Sequence, residues 1–171
     1  MTQSNHETLL QFENPFAPAP GLELKAPPAA VTAVTAVLMW AVGAAAPAVD
    51  FAFLVNPALP AGLLLAGAII CLAGVASFRR AGTTVNPMRP NATAALVVDG
   101  IYNYSRNPMY VGFLVVLLGW ALFLSNGLAL LFLPAFVLYM DHFQIRAEER
   151  VLGALFGHHY TAYRANVRRW L

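Results

Sequence analysis

The stretch ALPAGLLLAGAIICLAGVASF, residues 58–78, runs for twenty-one positions without a charged side chain. A helix rises about 1.5 Å per residue, so about 20 such residues are needed to cross the hydrocarbon layer of a bilayer. The stretch is therefore predicted to span a membrane, and residues 29–48 satisfy the same requirement. Two further apolar runs follow at 108–124 and 128–139, separated by Ser125-Asn126-Gly127 as a tight turn. Both are short for a full crossing, which predicts a tilted or partly crossing hairpin, bent at Pro134.

The composition agrees. Of 171 residues, 59% are hydrophobic and only 11% charged, with a mean hydropathy of +0.62. Soluble domains carry about a quarter charged residues. The net charge is +2, and the cations are placed as orientation signals rather than as a nucleic-acid patch. Lys25, Arg79, Arg80, Arg89, Arg106, Arg146, Arg150, Arg164, Arg168 and Arg169 all avoid residues 49–57 and the 125–127 turn. By the positive-inside rule this predicts four spans with both termini cytoplasmic, as in a multi-pass protein of a bacterial inner membrane. The one cysteine, Cys71, lies in an apolar run, so neither a disulfide framework nor a cysteine metal cluster is expected. The first residues have no basic start leading into an apolar core, and read as a cytoplasmic Pro-rich lead-in rather than a secretory signal. The expected organisation is a lead-in at 1–28, two spans within 29–80, and a core at 81–171 made of the hairpin and a C-terminal cytoplasmic or interfacial helix. The fold class is all-α.

A polar knot, YSRNPMYVG at 104–112, stands at the mouth of the third span. Part of it is explained by the boundary alone: Asn107 suits a helix N-cap, Pro108 the first helical position, and Arg106 can snorkel to headgroups. A boundary needs fewer parts than are present. Gly100 permits a turn that would cluster Tyr102, Tyr104 and Tyr110 with Arg106 around a helix N-terminus, whose free N–H groups favour an anion or a ligand's polar edge.

In DHFQIRAEERVLGALFGHHYTAYRANVRRWL, 141–171, a helical reading places Ile145, Leu152 and Phe156 on one apolar stripe flanked by Glu148 and Glu149. An interfacial helix laced with ion pairs is one account of RAEER. The inward placement opposes it, because a carboxylate facing apolar surroundings wants a cation. Arg146 and Arg150 are expected to neutralise Glu149, leaving Glu148 without a local partner. His158 and His159 follow one another, with no further ligand spaced for a metal, and are expected at the surface. Trp170 with Arg168 and Arg169 reads as an interface anchor. Tyr160 and Tyr163 pack on the core or line a pocket, with packing the default expectation, and the Asn91-Ala92-Thr93 sequon is expected to be inert on the cytoplasmic side.

From GTTVNPMRP through LVVDGIYNYSRNPMYVG to EERVLGALFGHHYTAYRANVRRW, about 82–170, the chain resembles bacterial members of the isoprenylcysteine carboxyl methyltransferase family, within the larger group that includes phospholipid methyltransferases. The resemblance implies a membrane enzyme using S-adenosyl-L-methionine (SAM), with S-adenosyl-L-homocysteine (SAH) as product. It implies that Arg106, Asn107, Pro108, Met109 and Tyr110, with Gly100, Tyr102 and Tyr104 leading in, form one wall of the cofactor site, and Glu148 and Glu149 the other. Arg106 and Glu148 become the candidate catalytic residues. Where eukaryotic relatives place an arginine near the substrate carboxylate, one turn before the glutamates, this chain has Gln144, with Arg146 off-register; these are the candidate substrate contacts. The implied acceptor is lipophilic and arrives from among the membrane lipids: a prenylcysteine-type carboxylate, an aminophospholipid or a small thiol. From another class, a small transporter or a non-catalytic scaffold also fits four spans. A proton-coupled transporter would carry a mid-membrane acid, and none of the four apolar runs has one.

Overall fold

The computed structural model describes residues 26–46, 56–83 and 95–171. The lead-in with Lys25, most of the first outer connection, Arg89, most of the GTTVNPMRP stretch and the Asn91 sequon lie outside the described residues. The described residues form helices α1 (Pro28–Ala45), α2 (Ala58–Arg80), α3 (Pro108–Leu124), α4 (Gly127–Leu130), α5 (Phe132–Tyr139) and α6 (Arg146–Asn166). A 3-10 turn, Gly100–Asn103, precedes α3, and a π-helical segment, Met140–Ile145, joins α5 to α6.

The chain is an all-α multi-pass membrane protein. Among the described residues, three helical stretches are long and apolar enough to cross a bilayer: Pro28–Ala45, Ala58–Arg80 and the composite Gly127–Asn166. The fourth, α3, has 17 residues, about 26 Å of helix against about 30 Å of hydrocarbon. The exterior is apolar, as lipid requires: Val34, Val37, Leu38 and Trp40 on α1 and Leu65, Ile69 and Leu72 on α2 are all exposed.

Helix α3 lies between α2 on one side and α1, α4 and α5 on the other. It runs antiparallel to α2, with Gly112 facing Gly67 and Gly119 facing the turn near Pro60 and Leu64. At Gly67 an added Cβ would lie 2.6 Å from the Gly112 carbonyl oxygen, so only the bare backbone permits this approach. Between lipid-soluble helices, association relies on such close packing because apolar burial supplies no driving force there. On the other side, the Trp120 indole N–H donates to the Ala36 carbonyl at 3.0 Å. Met39, Leu117, Ala121, Ala129, Phe136 and Met140 make the buried core.

The hairpin turn forms as expected, with Ser125 left-handed at φ 54°. Asn126 caps α4 by accepting from the Leu128 N–H at 3.0 Å and donates to the Ala46 carbonyl at 2.8 Å, pinning the far end of α1. The expected bend at Pro134 appears as a break at Leu131. Proline has no N–H for the Leu130 carbonyl, and its ring crowds the preceding turn. The helix tightens there to a Leu131 N–H to Leu128 O bond of 3.1 Å.

The fourth span and the C-terminal helix are one composite helix rather than two. No glycine or proline falls between Ala135 and Leu152 to stop it. The discontinuity is instead the π turn, closed by the Arg146 N–H on the Asp141 carbonyl. We take the membrane-spanning part to end at Met140, before Asp141. The next true break is Gly157, at φ 50° and ψ −119°, a backbone conformation open to glycine.

Candidate active site

The polar knot is built by turns before it is built by side chains. Gly100, at φ 65°, starts the 3-10 turn that swings Tyr102 inward. Tyr102 is buried, with its ring edge-on to Phe78 at 5.4 Å. Its carbonyl accepts the Tyr163 hydroxyl at 2.8 Å. Ser105, also buried, accepts the Asn107 N–H on its hydroxyl at 3.1 Å. Asn107 takes the N-cap position of α3, but its side chain makes no cap bond. It donates instead to the Arg169 carbonyl at 2.9 Å, and the Arg106 N–H donates to the Arg168 carbonyl at 2.9 Å. The chain's last residues thus bind the knot through main-chain oxygens.

The carboxylates come from the other side. The π turn adds a residue to one turn, a feature frequent at functional sites, and Gln144 on it is buried. Gln144 Nε2 donates to Glu148 Oε1 at 3.0 Å, and the Tyr110 hydroxyl donates to the same oxygen in a short hydrogen bond. Glu148 as a residue keeps some surface, but its carboxyl group is enclosed. That enclosure pushes it up to about 7; the bonds from Tyr110 and Gln144 pull the other way, and nearby Glu149 adds to the rise.

Glu149 is held by cations. Arg169 forks onto it, Nε to Oε1 at 3.0 Å and Nη2 to Oε2 at 2.7 Å, while its Nη1 reaches Asp141 Oδ1 at 2.7 Å. The bond to Glu149 leads the effects that raise the Arg169 guanidinium above its ordinary value. Arg106 Nη1 also lies 3.0 Å from Glu149 Oε1, both side chains being 10% exposed. This pair is electrostatic rather than directed, because Arg106 Nε and Nη1 are buried without a hydrogen-bond partner among the described residues. Burial pushes the Tyr160 phenol up to about 12; Glu149 adds to this and the neighbouring Arg106 opposes it.

The structure therefore brings Arg106, Asn107, Tyr110, Gln144, Glu148 and Glu149 together, with Pro108 buried at the first position of α3 and Tyr102 beneath them. Met109 turns toward α2, where an added Cβ on Gly74 would meet its sulfur at 3.3 Å. Several sequence expectations are corrected. Tyr104 is 77% exposed and leaves the tyrosine cluster, because it follows the 3-10 turn that directs Tyr102 inward. Arg106 does not snorkel, since Glu149 holds it inside. Arg146 does not neutralise Glu149. It pairs with Asp141 at 3.1 Å, more than half exposed, at the rim of the network. Glu148 has hydrogen-bond donors as partners where none was expected locally. Trp170 is no simple anchor, since it packs against the core. His158 and His159 are exposed as expected, but their rings lie 3.9 Å apart after the Gly157 break. Arg169, Asp141 and Ser105 were missed. The RRW ending has the composition of an interface anchor, so no local signal separates the two roles.

Unsatisfied buried donors are costly, and those of Arg106 suit a ligand carboxylate. The enclosed carboxyl of Glu148 suits a cationic group. The residues present thus fit a zwitterionic, positively charged cofactor such as SAM.

Comparisons with known proteins agree with this chemistry. The phospholipid methyltransferase family matches residues 55–159, well over half of the chain. A protein-S-isoprenylcysteine O-methyltransferase of Schizosaccharomyces pombe is 29% identical over 119 residues, 70% of this chain and 50% of the yeast protein. The chain thus spans about half the length of that relative. An uncharacterized protein of Haemophilus influenzae is 46% identical over 63 residues, 37% of this chain and all of the relative. No solved structure matches significantly. Fold, knot and family match converge, and the chain belongs to the phospholipid methyltransferase family.

Proposed function

We propose that this protein is a SAM-dependent methyltransferase that methylates a lipophilic acceptor at the polar end of its membrane helices. The observation that carries the proposal is the meeting of two remote segments: Arg106 of the knot beside Glu149, and Tyr110 bonded to Glu148. Glu148, Glu149, Arg106, Asn107 and Tyr110 are the proposed cofactor contacts, with Pro108, Met109, Gly100 and Tyr102 shaping the wall behind them.

When bound, SAM supplies an electrophilic methyl group on a positively charged sulfur. The chain's residues align and exclude water, which suits an in-line displacement needing little acid or base help. Arg106 offers an anionic group the donors that make no directed hydrogen bond, and Glu148 offers negative charge to a cationic one. Calorimetry with SAH in detergent tests the assignment. Arg106→Ala and Glu148→Ala are each expected to weaken binding tenfold or more, and unchanged affinity in both refutes it.

The yeast relative's name points to a prenylcysteine-type carboxylate as acceptor. An aminophospholipid is a second reading, favoured by one observation. Glu148, with a carboxyl near 7, is able to take the proton an amine must lose, and Gln144 rather than a cation stands one turn before it. Labelled SAM offered to a carboxylate, an amine and a thiol acceptor separates these. We further propose that both termini lie in the cytoplasm of a bacterial inner membrane and that 81–171 is the methyltransferase core behind two anchoring spans. Reporter fusions at each terminus check the orientation.

A further inference from the structure

Arg169 touches three parts of the site at once. Its carbonyl accepts from Asn107 Nδ2 at 2.9 Å and, at 3.5 Å, from the Ser105 hydroxyl. Its guanidinium covers both oxygens of Glu149, at 3.0 and 2.7 Å, and reaches Asp141 at 2.7 Å. Planar forks of this kind are the strongest arginine–carboxylate geometry. Arg106, in contrast, approaches only the oxygen Oε1, which Arg169 Nε already occupies. Arg169 thus bonds both oxygens of Glu149, whereas Arg106 only ion-pairs with Oε1 and keeps Nε and Nη1 without a directed hydrogen bond.

The charges tell the same story. Arg106, Arg146 and Arg169 meet Asp141 and Glu149 in one linked network. Remove Arg169, and two cations face two carboxylates; Glu149 then has Arg106 as its nearest partner, and the donors meant for a ligand turn onto the protein.

Resting on the methyltransferase reading above, we propose that Arg169 is a positioning residue. By occupying Glu149 it keeps the Arg106 guanidinium available for the carboxylate of the cofactor's amino-acid end. The segment 167–171, with Trp170 packed into the core, seats Arg169 for this task.

The test compares calorimetric binding of SAH with that of its decarboxylated analogue, which keeps the nucleoside, thioether and amine. The wild-type protein is expected to prefer SAH by at least about tenfold, the scale of one charge-assisted pair. Arg106→Gln abolishes that preference. Arg169→Gln reduces it to within about threefold, and Arg169→Gln with Glu149→Gln restores it, because Arg106 no longer has a carboxylate to turn to. Arg169→Lys keeps the charge but not the fork, and lowers the preference severalfold even if Arg169→Gln does not fold. If the Arg169 variants weaken both ligands by one factor and leave the ratio at the wild-type value, Arg169 is merely structural and the proposal is overturned. A ratio that stays low in the double variant overturns it as well. A wild-type protein that binds SAH without preferring it sinks the Arg106 assignment while leaving the methyltransferase reading intact. A wild-type protein that binds neither ligand sinks that reading itself.

Discussion

Two regions of this molecule are held together in opposite ways. The α2–α3 seam is closed by the absence of side chains: Gly67 and Gly112 bring backbone onto backbone, with the carbonyl of each in the space an added Cβ on the other would fill. The polar end is closed by charge, Arg106 and Arg169 on Glu149 and Tyr110 and Gln144 on Glu148. Shape has no substitute at the seam, whereas charge at the knot is shared among several partners. Damage to the seam should therefore appear as lost fold, and damage to the knot as lost binding.

The largest effect is expected from the seam. Gly67→Leu puts a branched side chain where even a Cβ would lie 2.6 Å from the Gly112 oxygen, and overpacking costs about 1–3 kcal/mol, more where, as here, the obstruction is backbone. The expected outcome is loss of monodisperse protein in detergent. Gly74→Ala sharpens the point, because the obstructing atoms there belong to the flexible Met109 side chain. It should retain a folded protein with a lower melting temperature, read by a thermal-shift scan.

Arg106→Ala should reverse the balance. Glu149 keeps its fork to Arg169, so the stability loss is expected at about 1–2 kcal/mol rather than the larger cost of leaving a buried charge unpaired. SAH affinity should fall at least tenfold. A variant that unfolds while retaining affinity per folded molecule would erase the contrast between the two regions.

Glu148 contributes through pH. Its carboxyl is raised in the folded state, so the folded protein holds that proton more tightly than the unfolded chain does. This group therefore costs no stability below about 4.5, costs increasingly as pH rises toward about 7, and adds no further cost above it. Glu148→Gln should stabilise the protein at pH 8 by no more than about 3 kcal/mol and change little at pH 4. SAM affinity in the wild type should weaken as pH falls below about 7, and Glu148→Gln should flatten that dependence in a titration by calorimetry.

The smallest effect is reserved for Arg146→Ala. Its pair with Asp141 is open to solvent on the arginine side, and such pairs contribute about 0–1 kcal/mol. SAH affinity should change less than about twofold, even though Arg146 lies next to the glutamates in sequence.

Much of this architecture is written in the order of residues alone. The apolar runs at 58–78 and 108–124 announce the helices because lipid tolerates neither charge nor unpaired backbone. Pro108 starts α3 and Ser125-Asn126-Gly127 turns it, because proline and left-handed turns are local properties. Gly100, Tyr102, Tyr110 and Arg106 are legible as a knot for the same reason. Other features depend on how helices meet. The apolar stripe over 145–156 turns Glu148 and Glu149 inward, but nothing in it says that Tyr110 and Gln144 bind the first and Arg169 the second. The π turn at Met140–Ile145 leaves no period to read, and Arg169 next to Trp170 looks like any basic-aromatic anchor. Sequence by itself determined the membrane class, the spans and the motif, because hydropathy and turn chemistry act over a few neighbouring residues. Only the tertiary structure decided which cation serves which carboxylate, because Arg106, Glu149 and Arg169 meet across dozens of residues, and the choice among them is one of distance and desolvation.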